Sequence, residues 1–513
     1  MASYAAIHSV PSEHSSSRPA SAEPLRRRHR KENGVAGNAS WLSSVINLVN
    51  TIVGAGVLAM PHAMSNMGMV LGVLVICWSG LCSGFGLYLQ TRCARYLDRG
   101  AASFFALSQI TYPNAAVIFD AAIAVKCFGV GVSYLIIIGD LMPGVVQGLG
   151  HPESATYLVD RHFWVTAFML IVIPLAFLRR LDSLKYTSIV ALVSIGYLVI
   201  LVVYHFVAGD TAPARGNIDI VHVKGPFEVL ASFPVIVFAY TCHQNMFSIL
   251  NEIKDNSPTR TTGVVTGSIG TAASIYVLVA ITGYISFGDN VVGNIVSQYT
   301  PSVASTIGRA AIVVLVMFSY PLQVHPCRAS VDAVSKWRPT GRRNQELTPA
   351  GGSPSRSSLL PSKMPSRPKP EDMSDIRFAI ITTGIIVLSY TTAMTVSSLD
   401  KVLAYVGSTG STSISFILPG LFYYKISDPD SPHHQKLMKG NDDEEYDSSS
   451  DSEDEGSSPV EGRSSWRATW TAKVKGRQWR RQMLRKMSLA LAVYGFLVMT
   501  VCLVTNTYFN VKE

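Results

Sequence analysis

The first long apolar segment of the sequence contains a polar pair and a glycine pair that could together bind a small charged molecule. Asn47 and Asn50 are three residues apart, so both side chains lie on one face of a helix. The stretch Gly-Ala-Gly follows at 54–56, and glycine weakens helix continuity. Carbonyl groups exposed at such a break can coordinate a cation or bind an ammonium group. A broken helix at membrane depth indicates a secondary-transporter site, whereas close packing of glycines between helices is the alternative.

A second polar interruption lies in the sixth apolar segment, where residues 240–245 are almost all polar. Polar groups at membrane depth are costly and usually line a cavity. His243 titrates in the physiological range and could sense or relay protons, although a structural histidine bonded to a neighbouring helix is also consistent with the pattern. Segments one and six correspond in a five-plus-five repeat, which favours one shared site.

Three further residues could take part in ion coupling. Lys126 lies near the middle of the third apolar segment, too deep for its amine to reach the interface easily, so we expect it to face a cavity or to brace helices. Ser319 and Tyr320 place hydroxyls at the middle of the eighth segment, where a cation or substrate could use them. Hydroxyls also join membrane helices, so this signal is weak.

The composition predicts an all-α polytopic membrane protein. Hydrophobic residues make up 48% of the 513 residues and charged residues 15%, against about 25% charged in soluble proteins. The apolar runs are about 20 residues long, the length that crosses a bilayer. Eleven such segments are predicted, at 41–64, 68–91, 115–140, 162–178, 186–207, 228–250, 262–287, 304–326, 376–397, 401–423 and 487–507. The segment 401–423 is the weakest of them because glycine, serine and threonine dilute it.

The distribution of basic residues predicts the orientation. With the amino terminus in the cytosol, all but seven of the 43 Lys and Arg residues fall in cytosolic pieces or, in the case of Arg377, at the cytosolic end of a predicted span. The seven exceptions are Lys126, Arg161, Arg215, Lys224, Arg309, Lys401 and Lys512. With eleven spans, the carboxyl terminus lies on the opposite side, which is the lumen of an organelle if the membrane is internal.

Three long polar regions lie outside the predicted spans, one ahead of them and two between them. Residues 1–40 form a disordered cytosolic tail ahead of spans one to eight (41–326), and 327–375 form a flexible basic loop before spans nine and ten (376–423). Residues 424–486 form an acidic, Ser-rich and then basic loop before the last span and a short luminal tail (487–513). Serines beside acidic residues in this loop are candidate sites for a kinase: Ser448, Ser449, Ser450 and Ser452.

Several function classes are excluded or disfavoured. The net charge of +9 comes from segment edges and loops, with no aromatic-basic patch, so nucleic-acid binding is not expected. The seven cysteines lie in or beside apolar segments and imply no disulfide framework. No cluster of His, Asp and Glu residues has metal-ligand or acid-base spacing. We therefore predict no metal site, no cofactor and no enzymatic activity. An ion channel is disfavoured because no filter-like loop is repeated. A nutrient sensor that signals through its cytosolic tails stays open as an alternative to a carrier.

Residues 47–61 resemble the first-helix signature of the amino acid/auxin permease family, and 238–246 and 133–140 resemble its sixth and third helices, particularly in fungal vacuolar amino-acid transporters. The resemblance implies a LeuT-type 5+5 inverted repeat of about eleven helices and coupling to H⁺ or Na⁺. Asn50 matches a position proposed to bind sodium in related neutral amino-acid carriers. Lys126 and His243 favour proton coupling. The vacuolar membrane is the implied location, with the plasma membrane as the alternative.

From the residues and the resemblance together we predict two overlapping sets. The substrate set is Asn47, Asn50, Thr51, Gly54, Ala55, Gly56, Phe238, Tyr240, Thr241 and His243. The ion-coupling set is Asn50, Lys126, His243, Ser319 and Tyr320. The expected partners are an amino-acid substrate and the lipid bilayer.

Overall fold

The computed structural model describes residues 37–150, 156–178, 187–336, 373–431, 434–435 and 463–512. The predicted tail and much of the predicted loops, including the serines at 448–452, lie outside these residues. Within them the chain is helical, and the β-type pairing found is one isolated bridge between Ala39 and Ile253. The all-α class predicted from the apolar segments is confirmed.

Sixteen helices follow one another along the described residues. They are α1 (Trp41–Ile52), α2 (Ala55–Met67), α3 (Met69–Ala94), α4 (Phe104–Thr111), α5 (Ala116–Leu149), α6 (Arg161–Ala176), α7 (Thr187–Ala208), α8 (Pro226–Ala239), α9 (His243–Glu252), α10 (Pro258–Phe287), α11 (Ile295–Gln298), α12 (Val303–Lys336), α13 (Asp375–Thr395), α14 (Leu399–Val406), α15 (Leu418–Ile426) and α16 (Arg463–Lys512).

The helices occupy all eleven positions at which a span is predicted. Eight helical stretches of the described chain are long and apolar enough to cross a membrane, and the bent pair of α1 and α2 makes a ninth. The other two are α6, which is apolar but has only 16 residues, and the segment from α14 to α15. The last helix, α16, begins at Arg463, well before residue 487.

Two spans are broken near their middle. Helix α1 ends at Ile52, Val53 has an extended backbone, and α2 starts after Gly54 with its axis bent by 56° from that of α1. Helix α8 ends at Ala239, and α9 starts at His243 after Tyr240, Thr241 and Cys242. The breaks fall where glycine and polar residues interrupt the apolar runs, because these residues favour helix continuation least.

The span between α14 and α15 is continuous but wider than an α-helix. Two π-helical segments, Gly407–Ser411 and Ser413–Ile417, join α14 to α15. Glycines allow the close approach there: a Cβ on Gly407 would lie 2.0 Å from the carbonyl oxygen of Pro234, and one on Gly410 would lie 2.7 Å from the Cβ of Lys126. Gly407 and Gly410 lower the hydrophobicity of this predicted span, and the same two glycines allow it to pack against α8 and α5.

Candidate functional site

A cavity of about 590 Å³ lies at the break between α1 and α2. Helices α7, α9 and α12 and Tyr134 of α5 form its other walls. Six of the predicted site residues line it: Asn47, Asn50, Thr51, Gly54, Ala55 and Ser319. Most of the predicted contribution of the first helix is therefore gathered at one site.

Hydrogen bonds fix the polar face of α1 toward this cavity. The Thr51 hydroxyl donates to the carbonyl oxygen of Asn47 at 3.0 Å and accepts from Nδ2 of Asn245 at 3.3 Å. The second bond joins α1 to α9 across the cavity wall. Thr51 therefore links the two half-helices that border the cavity.

The two glycines of the first break have different surroundings. A Cβ on Gly54 would meet no atom within 4 Å, whereas one on Gly56 would lie 2.5 Å from the Cβ of Ala239. Gly54 thus leaves its backbone open toward the cavity, and Gly56 allows α2 to pack directly against the end of α8. The close-packing interpretation describes Gly56, and the binding-site interpretation stays a prediction for Gly54.

The start of α2 supplies backbone donors at the cavity wall. The first N–H groups of a helix have no intrahelical partner and favour a negative charge. Gly54 and Ala55, at this helix start, line the cavity, and Gly54 has no capping side chain to occupy those donors. A carboxylate fits this position by charge and by hydrogen bonding.

Phe238, Tyr240 and Thr241, at the start of the second break, do not line the cavity. Tyr240 is fully buried, and its ring packs edge-on against that of Tyr276, with the ring centroids 5.0 Å apart. The Tyr240 ring also packs against Gly80. The Thr241 hydroxyl donates to the carbonyl oxygen of Val237 at 2.9 Å. Phe238 is also buried and is not among the cavity-lining residues.

His243 lies against α3. Its Nε2 is 3.2 Å from the carbonyl oxygen of Ser83, and the side chain is fully buried. Because a carbonyl oxygen only accepts, Nε2 carries the proton and Nδ1 is the basic nitrogen of the neutral ring. The position matches the structural alternative for this histidine, with a titratable nitrogen left beside the break.

Lys126, on α5, is buried against the π-helical span. It is 4% exposed and does not line the cavity. Its backbone packs against Gly410 of the π-helical span, and Ser415 of the same span donates to the Thr241 hydroxyl at 3.2 Å. Lys126 and the second break are therefore buried against one π-helical span, in a region behind the second break.

The predicted hydroxyl pair of the eighth segment is divided. Ser319 lines the cavity and donates to the carbonyl oxygen of Leu315 at 2.7 Å. Tyr320 is fully buried on another face of α12, where its hydroxyl lies 2.6 Å from Oγ of Ser389. Of the two hydroxyls, that of Ser319 shares the cavity with Asn50.

Helix α9 contributes cavity residues that the sequence reasoning did not include. Gln244, Ser248 and Glu252 are four residues apart and line the cavity, together with Asn245. Because α9 begins at His243, residues four apart in it lie on one face of the helix. The start of α9 must be known before this face can be identified. Tyr134, Gln323 and His325 complete the polar lining missed from the sequence.

The cavity extends toward one side of the protein. It reaches Glu252, the last residue of α9, and the backbone beside that residue pairs with Ala39 just ahead of α1, with the Ala39 N–H donating to the Glu252 carbonyl at 2.9 Å. The lining therefore continues from the breaks to the side on which α1 begins.

An ion pair and a buried arginine join several helices on the other side of the protein. Arg161 at the start of α6 lies 3.3 Å from Asp140 and donates to the carbonyl oxygen of Val396 at 3.2 Å. Arg309 of α12 is buried and donates to the carbonyl oxygens of Val296 and Tyr299 at the end of α11. These contacts join α5, α6, α11, α12 and the segment before α14.

Comparisons with known proteins agree with this arrangement. The family described as "Transmembrane amino acid transporter protein" matches residues 37–441. Vacuolar amino acid transporter 5 of Schizosaccharomyces pombe is 41% identical over 471 residues, covering 92% of this chain and 95% of that protein. Vacuolar amino acid transporter 6 of Saccharomyces cerevisiae is 42% identical over 407 residues, covering 76% and 90%.

One solved structure shows the fold. The crystal structure of MhsT in complex with L-phenylalanine is 12% identical in sequence and superposes with a TM-score of 0.54, covering 91% of this chain and 100% of that one. The LeuT-type fold and the family resemblance predicted from residues 47–61, 133–140 and 238–246 are confirmed.

Proposed function

The chain belongs to the transmembrane amino acid transporter family, and from this premise we propose that it is a secondary carrier that moves amino acids across the vacuolar membrane by alternating access. It is a transporter of the membrane-embedded class and not an enzyme. The observation that carries the proposal is the cavity at the first break, where Asn47, Asn50 and the open backbone of Gly54 converge.

The substrate would bind with its charged ends at the first break. Its carboxylate would accept from the free N–H groups at the start of α2 beside Gly54 and Ala55, since half-helix amino ends favour anionic groups in this type of carrier. Its ammonium group would be held by the side-chain oxygens of Asn47 and Asn50 and by carbonyls of the unwound backbone. The side chain would then point toward α9 and α12.

The orientation follows from the charge distribution. Because the predicted topology puts most Lys and Arg residues in loops on the side on which α1 begins, we assign that side to the cytosol. The cavity extends to the same side, so the structure would represent a state open to the cytosol. The contacts of Arg161 and Arg309 would then close the luminal side.

We propose protons as the coupling ion. Lys126 and His243 are buried titratable groups beside the second break, so gain or loss of a proton there changes the charge where α8 and α9 meet. The sodium alternative rests on a different observation, since Asn50 and Ser319 line the same cavity. The sodium alternative uses residues that line the cavity, whereas the proton alternative uses buried residues that do not line it.

Flux into vesicles separates these possibilities. Purified full-length protein is reconstituted, and uptake of a panel of labelled amino acids is measured with an imposed pH gradient, with and without sodium. We expect uptake that follows the pH gradient without sodium. Uptake that requires sodium would move the coupling site to Asn50 and Ser319. Binding without flux would replace the carrier by an amino-acid sensor.

A further inference from the structure

A single tyrosine hydroxyl contacts both broken spans at their breaks. Tyr276, in the middle of α10, is fully buried, and its hydroxyl oxygen lies 2.7 Å from the carbonyl oxygen of Ile52 and 2.8 Å from that of Ala239. Ile52 is the last residue of α1 and Ala239 is the last residue of α8. The hydroxyl therefore sits where two half-helices end.

These carbonyls need a donor from elsewhere in the chain. The last four carbonyls of a helix have no intrahelical partner, and the carboxyl end of a helix carries a partial negative charge. Two such ends meet at Tyr276. Within the described chain the Tyr276 hydroxyl is the hydrogen-bond donor found at both carbonyls.

One proton cannot satisfy both carbonyls fully. A phenol has one hydrogen to donate, and a carbonyl oxygen only accepts. At any moment Tyr276 therefore donates its full hydrogen bond to one of the two carbonyls, and rotation of the O–H bond transfers it to the other. The two positions of the proton correspond to a tighter hold on α1 or on α8.

Helix α10 packs along both parts of the first broken span. It packs against α1, α2 and α3, and Ser268 on the same helix donates to the carbonyl oxygen of Val45 in α1 at 3.2 Å. Tyr240, the first residue after α8, holds the Tyr276 ring edge-on. Helix α1 also forms one wall of the cavity, so a movement of α1 would change the opening of the cavity.

We propose that Tyr276 is a positioning residue that couples the movement of α1 to the end of α8 during alternating access. As α1 tilts away, the Tyr276 O–H bond rotates, so that its hydrogen bond changes acceptor from the Ile52 carbonyl to the Ala239 carbonyl. The inference rests on the proposed carrier function. It assigns to Tyr276 an effect on the rate of conformational exchange and none on the substrate itself, because Tyr276 does not line the cavity.

The test compares two phenylalanine variants of the full-length chain. Tyr276→Phe removes only the hydroxyl. Tyr284→Phe is the matched control, since Tyr284 lies on the same helix, is fully buried and has its hydroxyl oxygen 2.8 Å from the backbone N–H of Asp219, away from the breaks. Turnover and half-saturation are measured in vesicles, and equilibrium binding of the same labelled amino acid is measured on purified protein.

We expect Tyr276→Phe to lower turnover about tenfold, the effect of about 1.4 kcal/mol on a barrier, with the binding constant changed less than about twofold. Tyr284→Phe should stay within about twofold of the unmodified chain in both. Unchanged turnover in Tyr276→Phe, an equal loss in both variants, or binding weakened in proportion to turnover would each overturn the assignment. Absence of flux in the unmodified chain would instead refute the carrier function.

A second pair of variants covers the case in which Tyr276→Phe does not accumulate. Tyr276→His keeps an aromatic ring, but the imidazole N–H lies closer to the backbone of α10 than the phenol oxygen does, so it does not bridge both carbonyls. Tyr284→His makes the same change at the control position. At matched amounts of folded protein, turnover should fall further for Tyr276→His than for Tyr284→His, with binding preserved in both. Equal turnover in the pair would remove the role of the hydroxyl.

Discussion

The two broken spans use their polar residues in different ways. At the first break Asn47, Asn50 and Gly54 line the cavity. At the second break Tyr240 and His243 are buried against α10 and α3 and contact no part of the cavity. A polar residue at membrane depth thus marks either a ligand surface or a helix contact, and the partner that its hydrogen-bonding groups meet decides which.

The same division occurs within three residues at the first break. Gly54 faces open space, and Gly56 is in contact with Ala239. The largest effect should therefore come from Gly56→Val, because overpacking in a closed contact typically costs about 1–3 kcal/mol and here involves backbone as well as side chain. We expect little folded protein, measured by size-exclusion recovery and thermal unfolding.

Gly54→Ala is the paired change. It should leave the recovery and unfolding temperature of the protein close to those of the unmodified chain, because the added methyl group meets no neighbour. Uptake should fall because the methyl group enters the cavity. A variant pair in which Gly54→Ala fails to fold and Gly56→Val folds normally would reverse the assignment of the two glycines.

Asn50→Ala should have the next largest effect. Loss of a hydrogen bond to a charged group is worth about 1.5–3 kcal/mol, so we expect uptake at low substrate concentration to fall at least about tenfold. The amount of folded protein should change little, because Asn50 lines the cavity. Labelled uptake into vesicles measures the effect, and uptake within about twofold of the unmodified chain would remove Asn50 from the substrate site.

Lys126→Met tests whether the buried region behind the second break couples transport to protons. Accumulation driven by a pH gradient should be lost, whereas exchange of labelled for unlabelled amino acid should fall less, by about twofold, because Lys126 does not line the cavity. Both are measured on the same vesicles. Retention of gradient-driven accumulation would place the coupling group elsewhere, and equal loss of both would indicate a structural role.

Tyr240→Phe should have the smallest effect. The Tyr240 hydroxyl has no hydrogen-bond partner among the described residues, and the ring contact with Tyr276 is kept by phenylalanine. We expect uptake and binding within about twofold of the unmodified chain. A loss of binding as large as that of Asn50→Ala would show that the second break contributes a hydroxyl to the substrate after all.

The sequence was sufficient for the parts of the fold that depend on local composition. The apolar segments located the helices, and Gly54 and the polar run at 240–245 located both breaks, because these are properties of single stretches of chain. The π-helical widening between α14 and α15 was not predictable, since it follows from the close approach of Gly407 and Gly410 to α8 and α5.

The orientation of the second break was beyond the sequence for the same reason. Which face of α9 meets the cavity depends on where that helix begins and on how it packs, and the face proved to be that of Gln244, Ser248 and Glu252. Tyr276 lies in an ordinary apolar run, and nothing in its neighbourhood along the chain indicates that it reaches two carbonyls from other spans.

Substrate protection of single cysteines tests the division between the two breaks most directly. In a background with the exposed Cys77 replaced by serine, Ser248→Cys would place a thiol in the cavity and Thr241→Cys would place one in the buried second break. We predict that a water-soluble thiol reagent modifies Ser248→Cys, that a saturating transported amino acid slows this modification, and that Thr241→Cys reacts no faster than the background. Fast, substrate-protected modification of Thr241→Cys with no protection at Ser248→Cys would contradict the account.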